Sequence, residues 1–354
     1  MAVKNKGKTT TKDIAAAAGV SLFTVSAALN DKEGVGKKKR LEIRRIAAKM
    51  GYEPHRAAQL LRLKNPGQIG IIIGAHDFSS VASSGDSASA LLCYFIQNCE
   101  KQGLRYMIEC HHINDDKAGL NLPAQIASRL ATGSILSCDV GAKLRNFLDK
   151  ENTHPFVSVM EPAANCVLLA SDKSEYEAVR FIAENGHRRI AFAGAPERYM
   201  LHKMRKAGFK RAVKDFGMEL AGEYQIYSSG VVPVRKPLDD LADWCRSVFS
   251  GQNRPTAILC PEHEVARTII HVAMERGLKV PQDLSIISLG HLKNANASFP
   301  ALTIMEIDFE KVMEKAMEML EMLVQDGELP EPVKWIEPVL VQGGTTARFN
   351  AGKQ

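Results

Sequence analysis

Residue types able to do covalent or metal chemistry are present in this chain, but none stands at a working spacing. His263-Glu264 begins like the H-E-x-x-H pair that offers two imidazoles to zinc from one helical face, yet the position of the second imidazole is Arg267. His111-His112 has no evident third ligand and reads as a surface pair. Gly70 and Gly74 miss the G-x-G-x-x-G spacing that brings backbone close to a pyrophosphate, and Gly85 to Ser89 ends in serine where a G-x-S-x-G elbow needs glycine. The seven cysteines, at 93, 99, 110, 138, 166, 245 and 260, are odd in number and form no C-x-x-C, so they suggest neither a disulfide framework nor a zinc knuckle. No enzyme activity and no cofactor are expected. What remains is recognition chemistry, concentrated in AGVSLFTVSAALN, Ala18 to Asn30.

The elements around that stretch predict a helix-turn-helix. Thr10 and Thr11 are hydroxyl N-cap candidates before the helix formers Asp13 to Ala18, with Asp13 in the favourable first turn. Gly19 stops this helix, Val20 can plug the corner, and Ser21 can accept from the first free N–H groups of a second helix, Leu22 to Asn30. Ile14, Ala15, Val25 and Leu29 are spaced to face each other and a third helix, Lys37 to Met50, whose Ile43, Ile46, Ala47 and Met50 keep the i, i+3, i+4, i+7 stripe. Leu22, Phe23, Ser26, Ala27 and Asn30 are then left on the outer face of the second helix, which would enter a major groove.

Charge favours that reading over an ordinary pair of short helices. Residues 1 to 64 hold fifteen Lys plus Arg against five Asp plus Glu, while the whole chain is only +6, so basicity is confined to one end. Neutralising phosphates requires such a local excess, whereas a merely solvated surface mixes the signs. Residues 1 to 9 read as a basic, disordered arm. After the third helix, Tyr52-Glu53-Pro54 breaks the pattern. His55 to Leu63 is long enough for only one short helix, marginal alone in water. Asn65-Pro66-Gly67 reads as a linker.

From Ile69 the chain alternates short apolar strands with amphipathic helices: Ile69 to Ile73, Tyr106 to Cys110, Ser134 to Cys138, Phe156 to Met160, Val167 to Ala170, Ile190 to Ala193, Tyr224 to Tyr227, Ala257 to Cys260, Leu284 to Leu289 and Leu302 to Ile307. A last strand is expected over Trp335 to Gln342. The rhythm implies parallel sheets covered on both faces, and about ten strands suggest two lobes. An apolar fraction of 45% places the chain among globular proteins with a sizeable core. No leader-like apolar region and no membrane-length apolar window are found, so a cytoplasmic, nucleoid-associated location without membrane contact is expected. The segment after the last strand is too short for a coiled-coil tail, and a homodimer is expected.

TTKDIAAAAGVSLFTVSAALN, VGKKKRLEIRRIAAKMGYEPHRAAQLLR, QIGIIIG, ENGHRRIAFAGAP, MRKAGFKRAV, RPTAILC, ERGLKVPQDLSII and FPALTIMEIDF together resemble the bacterial LacI/GalR transcription regulators over nearly the whole chain. The resemblance implies an all-α helix-turn-helix head plus an α/β periplasmic-binding-protein-like effector domain of two doubly wound parallel-sheet lobes. It divides the chain into an arm (1–9), the DNA-binding domain (10–53), a hinge helix and linker (54–66) and an effector-binding and dimerisation domain (67–354). Within the last, the N-lobe is expected over about 67–165 and 301–330, and the C-lobe over about 166–300 and 331–354.

The resemblance also assigns sites. Thr10, Ser21, Leu22, Phe23, Thr24, Ser26, Ala27 and Asn30 would contact double-stranded DNA, with Ala27 standing where the family commonly places a guanine-reading arginine. His55, Ala58 and Leu61 belong to the hinge, Leu61 matching the leucine that wedges into the minor groove. Arg205, in MRKAGF, matches the effector-binding arginine; Met160, His263, His291 and Asp77 are further effector candidates. Several of these places differ from the family in chemistry: Met160-Glu161 stands for Asp-Arg, Pro261-Glu262-His263 for A-N-D, and Ser288-Leu289-Gly290-His291 for G-[FY]-D-D. The implied protein is a ligand-responsive regulator, most often a repressor in this family, on a near-palindromic operator. Its effector would be a sugar or sugar acid, with a more acidic ligand or a vestigial sensor as alternatives. An enzyme or a solute-binding protein on the same two-lobed domain is the reading from another class.

Overall fold

The computed structural model describes residues 11–21, 24, 25, 28, 36–50, 67–75, 85–113, 119–137, 139–151, 154–226 and 236–349. It divides into two compact units, a head (1–66) and a body (67–354). The expected strand end at Cys138, the end at Tyr227 and most of the expected reading face lie outside the described residues.

In the head, α1 (Thr11–Ala18) ends at Gly19, whose φ of 63° closes a left-handed stop. The Val20 N–H returns to the Ala15 carbonyl at 3.1 Å, the six-residue bond that satisfies an otherwise orphaned carbonyl of the last turn. Lys39 in α2 (Lys37–Lys49) adds its ammonium to the Ala18 carbonyl. Ile14, Ala15, Ala18, Val25, Ala28, Ile43 and Ala47 form the core, with Val20, Ile46 and Met50 packed half-buried against it.

The body is two six-stranded sheets of one design. The first has the order β11-β5-β4-β3-β1-β2, from β1 (Gln68–Ala75), β2 (Arg105–His112), β3 (Gly133–Ser137), β4 (Phe156–Val159), β5 (Cys166–Leu169) and β11 (Val333–Ile336). The second has the order β12-β10-β9-β8-β6-β7, from β6 (Arg189–Gly194), β7 (Glu219–Gln225), β8 (Ala257–Cys260), β9 (Ser285–Gly290), β10 (Thr303–Glu306) and β12 (Val339–Val341). All described pairings are parallel except β10 with β12. The inner strands β3, β4, β5 and β8 are buried at every residue, as parallel strands covered by helices on both faces must be.

Sequence and structure differ at the edges and at the crossings. The edge strands β2 and β7 run past their apolar cores because a ladder with one neighbour tolerates half-exposed polar residues. The single strand expected over 335–342 is two strands in different sheets, divided at Glu337-Pro338, where proline cannot donate to a ladder. β5 lies in the first sheet: Cys166 N–H donates to the Pro332 carbonyl and Ala170 N–H to the Ile336 carbonyl. The first crossing therefore falls after Ala170, beyond the expected boundary at 166. Likewise β10 stays in the second sheet beside β9, so the return follows Glu306 and not residue 301, and the third crossing follows β11.

The described helices of the body are α3 (Gly85–Gln102), α4 (Ala124–Ala127), α5 (Ala142–Glu151), α6 (Ser171–Glu184), α7 (Met200–Asp215), α8 (Lys236–Phe249), α9 (His263–Glu275), α10 (Leu292–Ala295) and α11 (Phe309–Asp326). One close approach fixes the geometry below: a Cβ on Gly208 of α7 would lie 2.0 Å from the Asp172 carbonyl oxygen. Only glycine there lets α7 lie against the first turn of α6.

Candidate ligand cleft and DNA-binding head

The turn of the head is built as a hydrogen-bonded corner. Ser21 Oγ accepts from the Thr24 N–H at 3.1 Å and lies 2.9 Å from the Thr24 hydroxyl, and the Val25 N–H returns to the Ser21 carbonyl at 3.1 Å. Ser21 is thus the N-cap of the second helix, a role worth about 1 kcal/mol. Thr24, Val25 and Ala28 are helical, with Val25 and Ala28 buried and Ser21 exposed. Thr10, Leu22, Phe23, Ser26, Ala27, Asn30, His55, Ala58, Leu61 and, in the body, Asp77 lie outside the described residues.

In each sheet of the body the strand order reverses beside its first strand, between β1 and β3 and between β6 and β8. Open α/β sheets take ligands at the carboxyl ends of strands, at such points. Arg205 stands at the second. Its guanidinium donates through Nη2 to the carbonyl of Cys260, the last residue of β8, at 3.0 Å, and lies 5.8 Å from the centre of the Phe192 ring on β6. Nε and Nη2 meet Oε2 and Oε1 of Glu175 at 2.7 and 3.0 Å, a two-point fork within the second lobe. Both side chains are interior, with exposures of 2% and 1%. Burial pushes the Glu175 carboxyl up, against the pull of the guanidinium. Nη1 is buried without a hydrogen-bond partner. One turn earlier on α7, His202 has a buried, unpartnered Nδ1, and burial beside Arg205 pushes its pKa down to about 3. Arg205 therefore stands at the carboxyl end of β8, where its guanidinium already carries an internal carboxylate that the sequence did not reveal.

His291 follows β9 and bridges the lobes. Its Nδ1 is 3.0 Å from Glu306 Oε1 at the end of β10, its Nε2 is 3.4 Å from the Tyr94 hydroxyl on α3, and the Phe309 ring of α11 meets it edge to face. Glu306 Oε2 is buried without a partner, and burial raises this carboxyl. His263 opens α9 just after β8, half-buried.

Met160 is the candidate the structure corrects. It is buried in the core of the body with φ of 71°, a left-handed conformation that few side chains adopt, and its N–H donates to the Val167 carbonyl. This kink presents the next residue instead. Glu161 accepts from the Met200 N–H, the free amino end of α7 in the other lobe, at 3.2 Å, and faces Arg145 Nη1 at 3.6 Å. Arg145 is also 3.9 Å from Asp139. Burial, then the neighbouring Asp139 charge, push the Glu161 carboxyl up to about 7, against the pull of Arg145 and the Met200 N–H. The histidine pair also departs from expectation: His112 is exposed, but His111 is buried and its pKa is lowered by burial, as alternation along β2 dictates. Among the described residues no group of three His, Cys, Asp or Glu is placed to hold a metal ion, and no helix is long and apolar enough to cross a membrane.

A raised carboxyl pKa makes folding favour the protonated form. The contribution of Glu161 is fully present below the ordinary carboxylate value and lost as pH rises through about 7. Glu161→Gln is therefore expected to match wild type in melting temperature near pH 4 and to exceed it by about 3 to 6 °C at pH 8. Thermal melts across that range check this; a difference that does not change with pH would contradict the assignment.

Comparison with known proteins places these features in context. Residues 10–55 match the family model of bacterial regulatory proteins, lacI family, and residues 179–346 match that of a periplasmic binding protein-like domain. The HTH-type transcriptional repressor PurR of Vibrio vulnificus is 25% identical over 350 residues, 96% of this chain and 99% of that repressor. PurR of Yersinia enterocolitica is also 25% identical over 350 residues, covering 96% and 97%. Among solved structures, the lac repressor dimer bound to operator and the anti-inducer ONPF superposes with a TM-score of 0.79 at 19% identity, covering 96% of this chain and all of the other. A LacI-family protein from Silicibacter pomeroyi gives 0.72 at 20% identity, with the same coverage.

Proposed function

Since this chain belongs to the lacI family of bacterial transcription regulators, we propose that it represses transcription by holding a near-palindromic operator as a homodimer, with affinity set by a small polar molecule between the lobes of the body. The observation that carries the reading is the capped corner of Ser21 and Thr24 in a strongly basic head, joined to a body whose polar groups converge at the carboxyl ends of two sheets. Leu22, Phe23, Ser26, Ala27 and Asn30 would form the reading face, Thr10 and Ser21 would meet phosphates, and Leu61 with His55 and Ala58 would engage the minor groove at the operator centre. The cytoplasm, at the nucleoid, is the place of action. The body works by binding and not by turnover.

Selection of full-length protein against randomised duplexes tests this. A consensus of two related half-sites is expected, with binding that weakens steeply as salt rises. Recovery of no consensus would sink the operator reading. A second reading, a regulator whose body has lost ligand response, is favoured by one observation: Glu175 already fills the fork of Arg205. A thermal-shift panel of metabolites separates the two, since a responsive body gains stability from at least one of them.

A further inference from the structure

We infer that Glu175 is the residue that sets the ligand class of the cleft: by occupying the two-point face of Arg205 it closes the site to carboxylates and phosphates, and leaves Nη1 to meet a neutral oxygen, a hydroxyl or a carbonyl. The inference rests on the reading of the cleft as a ligand site and makes that reading specific. An arginine has five N–H donors in a fixed fork. Three are spent here, two on Glu175 and one on Cys260, and Nη1 holds the remaining two, buried and unpartnered. The pair carries no net charge, so the attraction an unpaired guanidinium would exert on an anion is cancelled inside the wall. His202 beside it has its pKa pushed down to about 3 and supplies no compensating positive charge. The arrangement is rigid: Gly208 holds α7 against α6, and Ser171 Oγ donates to the Leu201 carbonyl at 3.0 Å, so Glu175 and Arg205 meet across two helices locked together. A ligand carboxylate would have to displace an internal one of equal charge and better alignment.

Glu175→Ala empties the fork and leaves a cavity of carboxylate size facing an unpaired guanidinium. Formate is the probe, with chloride at equal ionic strength as the control, and full-length protein is used throughout. Wild type is expected to melt at the same temperature in both salts at 100 mM. Glu175→Ala is expected to melt about 3 °C higher in formate than in chloride, and Glu175→Ala/Arg205→Ala to lose that difference. Should Glu175→Ala not accumulate folded, refolding from urea in the two salts is the same test, with a higher folded yield in formate expected. Equal behaviour of Glu175→Ala in both salts, or carboxylate-specific stabilisation of wild type, would overturn the inference. Neither result bears on operator selection, so failure here and failure of the regulator reading remain distinguishable.

Discussion

Arg205→Ala is expected to destabilise the body by about 3 to 5 kcal/mol, the penalty typical of breaking a buried ion pair from one side. The loss exceeds the pair's own worth because the surviving partner is stranded: Glu175 keeps a carboxylate in an interior where its side chain is 1% exposed. The Cys260 carbonyl also loses a donor. A residue that served ligand alone would behave differently, since its removal would abolish the ligand response and leave the unliganded protein as stable as before. Two further measurements identify the mechanism. Adding Glu175→Leu to Arg205→Met removes both charges and should recover most of the loss, as uncharged replacements of buried pairs often do. The Arg205→Ala penalty should also shrink as pH falls, because a carboxyl already pushed up by burial, and now without its cation, is relieved by protonation. Urea unfolding at pH 5 and pH 8 measures both. A penalty below about 1 kcal/mol at pH 8 would mean that the fork contributes little to the fold.

This outcome explains which parts of the site were legible in the sequence. Arg205 could be singled out because the family resemblance rests there on a local motif, MRKAGF, whose glycine three residues on must lack a side chain for α7 to approach α6. Its partner could not, because Glu175 lies thirty residues away on another helix, and nothing in SDKSEYEAV distinguishes an inward glutamate from a solvated one. Glu161 was hidden for another reason. Extending the strand to Met160 set the side-chain alternation, and only a left-handed residue at the strand end turns the chain so that the acid faces the other lobe. The sheets were legible where burial on both faces made continuous apolar runs, as in β5 and β8, and least so at the edges. The crossings were displaced because β5 and β10 look like core strands of either lobe, and only their neighbours decide which.

The second large effect is expected in the head. Of the seven buried apolar residues described there, four are alanines, Ala15, Ala18, Ala28 and Ala47, so Ile14, Val25 and Ile43 supply nearly all of the branched side-chain volume of the core. Ile43→Ala removes one of three, at a typical 2 to 5 kcal/mol. A unit of this size has roughly 3 to 7 kcal/mol in total, so the substitution consumes most of its stability. Binding that requires a folded head falls in proportion to the folded fraction. With the head roughly nine-tenths unfolded, affinity drops roughly 10-fold per head, and roughly 100-fold for a dimer that engages both half-sites. The body is a separate compact unit with its own core, so its melting temperature should stay within a degree of wild type. Ile43→Val, at about 1 kcal/mol, should keep nearly full affinity. The measurement is titration of the selected duplex against the three proteins, with hydrogen exchange of the head followed in parallel. Cooling or saturating duplex should restore head protection in Ile43→Ala, because DNA that binds only the folded head stabilises it by mass action. Full affinity in Ile43→Ala with wild-type exchange rates would show that Ile43 does not hold the three helices together, and would remove the packing argument on which the reading face of the second helix rests.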